Sequence, residues 1–259
     1  MARMSVSPTQ RPHAQRPRPP APADDWALFL DVDGCLLEFA QAPDAVAVPP
    51  GLTSTLQALA VRLDGALALV SGRSLAVLDA LFAPLRLPAA GLHGLERRDG
   101  DGHLDAPPAT AALQEVAAEA RAAIASHPGA VVEDKGVALA LHWRAAPAAA
   151  PGLQALAKSA LSRLPGYRLQ AGDQVVELRP AGADKGDAIA ALLERDPFRG
   201  RLPVFAGDDL TDEHGFAIVN ARGGHSVLVG DRAGSAAGFG LRDPAAVRAW
   251  LGVPDGGSA

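Results

Sequence analysis

The apolar run Trp26-Ala27-Leu28-Phe29-Leu30 stops abruptly at Asp31-Val32-Asp33-Gly34. Two carboxylates two residues apart at the end of a buried strand are hard to explain by packing. A central parallel strand is apolar on both faces, and open α/β sheets bind ligands just past the carboxyl ends of their strands. Gly34 lets the chain turn sharply there. One acid of such a pair can serve as nucleophile or metal ligand, the other as general acid and base on the same substrate.

A second cluster repeats the pattern. Leu202-Pro203-Val204-Phe205-Ala206 reads as a buried strand ending in Gly207-Asp208-Asp209-Leu210-Thr211-Asp212-Glu213. So many acids repel one another unless a cation neutralises them, and an oxygen-only donor set suits Mg²⁺. If the strands of Leu28 and Val204 are neighbours, Asp31, Asp33 and Asp208 meet around one ion. A third strand, Ala66–Val70, ends in Ser71-Gly72-Arg73, where a hydroxyl and free backbone N–H groups can hold phosphate oxygens. Asp184-Lys185-Gly186 opens a helical segment, and Lys185 supplies a point positive charge for a phosphoryl group.

These four pieces, in this order, resemble the motifs of the haloacid dehalogenase superfamily of phosphotransferases. The matching residues are Asp31-Val32-Asp33-Gly34, Ser71, Lys185 and Gly207-Asp208-Asp209-Leu210-Thr211-Asp212. They frame nearly the whole chain after its first two dozen residues.

The elements that must position these groups alternate. Trp26–Leu30, Leu52–Leu63, Ala66–Val70, Leu75–Leu81 and Ala89–Leu92 read as strand, helix, strand, helix, strand. Asp187–Leu193, Leu202–Ala206, Asp212–Val219, Ser226–Val229 and Ala245–Leu251 resume the alternation. This predicts right-handed crossovers and a parallel sheet. Between the two segments the pattern changes. Arg97–Gly102 is a turn-rich hinge candidate. A helix near Ala109–Ala125 leads to a hairpin, Ala130–Glu133 with Val137–Trp143. A second helix, Ala148–Leu164, leads to a second hairpin, Tyr167–Ala171 with Val175–Leu178. The expected fold is therefore α/β, a Rossmann-like parallel-sheet hydrolase core with an inserted smaller α/β cap. Its divisions are a Pro/Arg-rich disordered tail over 1–23, core over 24–98, cap over 99–178 and core over 179–253, with a frayed Gly-Gly-Ser end.

Composition narrows the function classes. The chain has 259 residues, 48% hydrophobic but only 4% aromatic, so the core is built from Leu, Val and Ala. The net charge is −5, and the first 23 residues contain four Arg and no acid, which leaves −9 on the rest. A nucleic-acid-binding body would show a basic face instead. No stretch is long enough to span a membrane and the first residues do not read as a signal peptide. The single cysteine, Cys35, fits a reducing compartment. Neighbouring acids would suppress its thiolate, which favours a small residue filling the turn over a catalytic thiol. The expectation is a cytoplasmic monomer with a small-molecule substrate, no nucleic acid and no membrane.

The cap carries Glu133 and Lys135 around its first hairpin turn and Glu177 in its second. By residue type these are either hydrogen-bond partners for sugar hydroxyls or solvent-exposed hairpin charge. Here a narrower resemblance enters. Val132–Arg144, Gly91-Leu92-His93-Gly94-Leu95-Glu96, Val176-Glu177-Leu178-Arg179-Pro180 and Gly207–Glu213 are similar to segments of trehalose-6-phosphate phosphatases. Cys35 departs from that pattern, which usually has Thr after the acid-acid-Gly turn.

The resemblance implies Mg²⁺-dependent hydrolysis of trehalose 6-phosphate. Asp31 would be the nucleophile and Asp33 the general acid and base. Asp31, the backbone carbonyl of Asp33 and Asp208 would hold the metal, with Asp209 and Asp212 binding its waters or orienting Lys185. Ser71, Gly72 and Lys185 would hold the phosphate, and Glu133, Lys135 and Glu177 the glucose rings. His93 is a candidate substrate contact; His142 reads as structural. Arg73 reaches phosphate or sugar, or pairs with an acid. A related phosphatase for another sugar phosphate and a catalytically silent sugar-phosphate-binding regulator are the alternatives; the presence of both Asp31 and Asp33 speaks against the second.

Overall fold

The structure is a computed structural model that describes residues 16–38 and 46–254. Expectations for residues 1–15 and for the Gly-Gly-Ser end fall outside the described residues. In chain order the elements are β1 (Trp26–Leu30), α1 (Leu52–Arg62), β2 (Leu67–Val70), α2 (Leu75–Leu81), β3 (Ala89–Gly91), β4 (Glu96–Arg98) and β5 (Leu104–Asp105). Then follow α3 (Ala111–Ile124), β6 (Val131–Asp134), β7 (Leu139–His142), α4 (Ala150–Ala160), β8 (Tyr167–Gly172) and β9 (Val175–Pro180). The chain finishes with α5 (Lys185–Leu193), β10 (Leu202–Gly207), α6 (Asp212–Ala221), β11 (His225–Val229), β12 (Phe239–Leu241) and α7 (Pro244–Leu251).

Contacts divide the chain into two units. One comprises the residues up to Asp105 together with those from Asp184 onward; the other is Ala106–Ala183. The larger unit holds an eight-stranded sheet in the order β12-β11-β10-β1-β2-β3-β4-β5. Its first six strands run parallel and the last two add antiparallel. Every residue of β1 and β2 is buried. Successive strand residues face opposite ways, so both faces are covered and a continuous apolar run is what such strands need. Phe29 stacks on Phe198 at 5.3 Å between ring centroids, and Phe205 packs on Phe216 at 5.4 Å.

The boundary differs from the sequence expectation. Residues 99–105 were expected in the cap. Instead Leu104 and Asp105 pair with Arg98 and Arg97, and the Arg97 side chain reaches Asp105. The strand pairing of the second hairpin runs on to Pro180, beyond the expected end at Leu178. Residues 16–23 also depart from the expected disordered tail. Arg16 donates to the carbonyls of Ala237 and Ser235, Pro17 accepts from Gly240 N, and Pro20 accepts from the Trp250 indole. Backbone groups at the sheet edge next to β12 thus find partners in this segment rather than staying unpaired.

The smaller unit is an antiparallel sheet in the order β6-β7-β9-β8. One face buries Leu139, Leu141, Val176 and Leu178 against Leu113, Val116 and Ala120 of α3 and Leu153 and Ala157 of α4. Alternation sends the intervening residues to the other face. There the register aligns Glu133, Ala140, Glu177 and Gln170 in one row across all four strands.

Candidate active site

β1 lies between β10 and β2, with Leu30 level with Ala206 and Leu69. The three strand ends therefore deliver Asp31, Asp208 and Ser71 to one edge, and Asp31 N donates to Ala206 O at 2.9 Å. After β1 the chain reverses at once. Gly34 takes φ +76°, and both Leu36 N and Leu37 N donate to Val32 O.

α5 begins at Lys185, two residues earlier than the sequence pattern suggests, because Asp184 caps it by accepting from Asp187 N at 2.9 Å. That places Lys185 in the first turn, 2% exposed. Its Nζ stands 3.0 Å from Asp31 Oδ2 and 2.7 Å from Asp212 Oδ1. Asp212, fully buried at the start of α6, also accepts from Asp208 N and Asp209 N at 2.8 and 2.9 Å. Gly207 is required here: a Cβ on it would lie 2.4 Å from Asp212 Cγ.

Asp31, Asp208 and Asp212 each present an oxygen within 4.8 Å of the others. Burial pushes the Asp31 carboxyl well above the usual range; Lys185 opposes this, while Asp212 and Asp208 add to it. Burial, then Asp212 and Asp209, push Asp208 up to about 7. Burial also raises Asp212, against the pull of Lys185. For Lys185, burial works against its charge, but Asp31, Asp212 and Asp209 outweigh it and hold the ammonium firmly protonated. Three crowded carboxylates with one ammonium are short of positive charge. Asp208 Oδ1 is moreover buried with no hydrogen-bond partner among the described residues. An all-oxygen donor set with an unspent carboxylate oxygen fits a hard divalent cation, so this cluster can bind a metal.

The remaining expected residues distribute differently. The Asp33 carboxylate accepts from Arg73 Nε and Nη2, both at 2.7 Å. Of the partners the sequence leaves open for Arg73, phosphate or sugar on one side and an acid on the other, the acid is the one it meets here, in the forked geometry that suits guanidinium and carboxylate. Asp209 accepts from Thr211 N and Oγ1 at 2.7 and 2.6 Å. Burial opposes its ionisation, yet Lys185 and the Thr211 bonds hold its carboxyl below the usual range. Ser71 is fully buried, and its Oγ accepts from Arg73 N at 3.1 Å. Leu92 and His93 are held at φ 49° and 56°, with their amides on Arg73 O and Ser71 O. Left-handed backbone at two successive non-glycine residues costs on the order of 1–3 kcal/mol each. It keeps the His93 ring against Gly72, where a Cβ would lie 2.7 Å from Nε2. Cys35 is fully buried, and burial followed by Asp31 pushes its thiol up, so it stays protonated.

In the smaller unit, Lys135 Nζ lies 3.3 Å from Glu177 Oε2 and 4.0 Å from Glu133 Oε2. His142 Nε2 lies 3.0 Å from the same Glu133 oxygen. The three expected sugar ligands are thus mutually close on the sheet face opposite the helices, with His142 joined to them. Between Glu133 and Glu177 the row carries only the small side chain of Ala140.

Some contacts had no local signal in the sequence. Glu96 Oε2 accepts from Leu75 N at 2.8 Å and bridges β4 to the start of α2. Arg232 reaches the backbone of the Asp208-Asp209 loop. Both join residues far apart in sequence.

Comparison with known proteins supplies the frame. The trehalose-phosphatase family model matches residues 29–238. A probable trehalose-phosphate phosphatase of Sinorhizobium fredii is 51% identical over 208 residues, covering 80% of this chain and 78% of that one. A trehalose-6-phosphate phosphatase of Escherichia coli is 49% identical over 207 residues, covering 79% and 77%. Among solved structures, a trehalose-6-phosphate phosphatase related protein superposes with TM-score 0.72 at 25% identity, covering 87% of this chain and 95% of the other. The C-terminal domain of a Candida albicans trehalose-6-phosphate phosphatase shares the fold, with TM-score 0.70 at 22% identity and 93% and 92% coverage. No helix among the described residues is long and apolar enough to cross a membrane.

Proposed function

The chain belongs to the trehalose-phosphatase family, and on that premise we propose that it hydrolyses trehalose 6-phosphate to trehalose and phosphate through an aspartyl-phosphate on Asp31. One observation carries the assignment of the nucleophile. Asp31 is the first residue beyond a fully buried strand, and Lys185 Nζ stands 3.0 Å from its Oδ2. In the first half-reaction an Asp31 oxygen bonds to phosphorus and the sugar oxygen leaves, taking a proton from Asp33. In the second, Asp33 takes a proton from the water that attacks the same phosphorus, and the Asp31 carboxylate is regenerated. The Arg73 fork takes one lone pair on each Asp33 oxygen and leaves a second on each for the proton. Lys185, the Ser71 hydroxyl and the Gly72 amide hold the non-bridging oxygens.

Mg²⁺, held by Asp31, Asp208 and the backbone carbonyl of Asp33, with Asp212 beside it, would offset the charge of the phosphoryl group. The uncompensated carboxylates and the unpartnered Asp208 oxygen support this choice of hard cation. In the smaller unit, Glu133, Lys135 and Glu177 serve sugar recognition; the two acids share a row on one sheet face and the Lys135 ammonium lies 4.0 Å from Glu133 and 3.3 Å from Glu177, which supports that role. The reducing compartment suited to a lone buried thiol is the cytoplasm.

The test is phosphate release from trehalose 6-phosphate beside glucose 6-phosphate and sucrose 6-phosphate, with and without EDTA. Trehalose 6-phosphate should be preferred, and activity should vanish on chelation and return with Mg²⁺. Equal turnover of all three would overturn the substrate assignment, and full activity in EDTA the metal assignment.

A further inference from the structure

Arg232 follows β11 in a loop that the family motifs do not touch. Its guanidinium nevertheless lies across the base of the acid cluster. Nε donates to Asp208 O at 3.2 Å and Nη2 to Asp209 O at 3.0 Å, and Nη2 also contacts Glu213 Oε1. The amides of Asp208 and Asp209 are already taken by Asp212 Oδ2. The same two residues are thus gripped from one side through their N–H groups and from the other through their carbonyls.

The grip has its own supports. Glu213 Oε2 accepts from Ala236 N at 2.9 Å, which ties the Arg232 loop to the first turn of α6. Asn220 Nδ2 donates to Ala236 O, and Gly238 N donates to Ser226 Oγ, each at 2.9 Å. Arg16 holds the carbonyls of Ser235 and Ala237. The Arg232 and Glu213 side chains are 22% and 23% exposed, so solvent screens the pair only in part.

We propose that Arg232, braced by Glu213, is a positioning residue for the divalent-cation site, fixing the Asp208-Asp209 backbone so that the Asp208 carboxylate faces Asp31 and Asp212. It touches neither the reacting atoms nor the cation and acts through two peptide carbonyls. The proposal rests on the metal reading above. Partners one step removed from a metal commonly govern affinity by 10–100-fold. A planar fork presents its N–H groups from separate nitrogens in fixed directions, which suits two carbonyls and a carboxylate; the three donors of a lysine radiate from one nitrogen on a flexible stem and cannot match that spread.

Charge and positioning predict opposite signs. Removing a positive charge beside a cation site strengthens cation binding on electrostatic grounds alone. Removing a clamp weakens it. The experiment is calorimetric titration of Mg²⁺ into the full chain, wild type, Arg232→Ala and Arg232→Lys, with circular dichroism to check folding and phosphate release measured against Mg²⁺ concentration. Arg232→Ala should raise the Mg²⁺ Kd by about 10–100-fold, with kcat largely restored at saturating Mg²⁺. Arg232→Lys keeps the charge and should still bind more weakly than wild type. Unchanged or tighter binding by folded Arg232→Ala would overturn the proposal. If that variant does not fold, wild-type affinity in Arg232→Lys overturns it equally. A wild-type chain that takes up no Mg²⁺ would instead overturn the metal reading itself.

Discussion

Asp31 and Asp212 are both buried against the Lys185 ammonium, but Asp212 is also tied to the amides of Asp208 and Asp209. Asn has the same shape and can accept from Lys185, but it cannot form an acyl phosphate. Asp31→Asn should therefore fold normally and release no phosphate; near-normal turnover by the folded variant would sink the covalent mechanism. Gly207 makes a different point about the same cluster. Its missing side chain is occupied space, since a Cβ would lie 2.4 Å from Asp212 Cγ. Gly207→Ala must push Asp212 away from Lys185 and from the two amides it accepts. Overpacking of this kind costs about 1–3 kcal/mol. The expected result is a lower denaturation midpoint together with a loss of phosphate release larger than any stability change explains. A variant merely destabilised, with full activity at low temperature, would mean the site tolerates the shift.

At the scale of elements, the parts that bear chemistry were legible because their physics is local. β1, β2 and β10 are apolar runs closed by polar residues, and a strand buried on both faces reads that way whatever its neighbours. β4, β5 and β12 were not legible. Glu96–Arg98 is wholly charged and Phe239–Leu241 holds a central glycine, so their strand character comes from partners already in place. The expected hinge at Arg97–Gly102 failed for the same reason: its turn residues are real, but they join two strands of the large sheet. The site divides likewise. The acid pairs and Lys185 announced themselves by spacing, whereas Arg73 on Asp33 and Arg232 on the Asp208 loop depend on long-range approach. Arg98 gives β4 a testable anchor. It is 5% exposed, bonds both Asp79 oxygens on α2 at 2.7–2.8 Å and donates to Leu87 O. Asp79→Ala strips its carboxylate partner and should cost about 1–3 kcal/mol, read as a lower urea midpoint at constant slope, with kcat preserved. An unchanged midpoint would rank this pair with ordinary surface ion pairs.

For the whole molecule, the question is why a phosphatase core should carry a second unit with its own sheet and its own apolar core. The larger unit already contains the groups proposed above for the phosphoryl chemistry. The smaller one holds a row of polar side chains, with Glu133 and Glu177 aligned across Ala140 and Lys135 within 3.3 Å of Glu177. If that row reads the sugar, chemistry and specificity should separate by substitution. Losing one hydrogen bond to a sugar hydroxyl costs about 1–3 kcal/mol of transition-state binding. Glu133→Ala or Glu177→Ala should then lower kcat/KM for trehalose 6-phosphate by about tenfold or more. A small aryl phosphate makes no such bond, so its hydrolysis should stay within about threefold of wild type. His142, which holds the same Glu133 oxygen at 3.0 Å, supplies a graded control. His142→Ala should move trehalose 6-phosphate in the same direction by less, because Glu133 keeps Lys135. Equal losses on both substrates would mean that these acids serve folding or the phosphoryl step, and that specificity lies elsewhere in the chain.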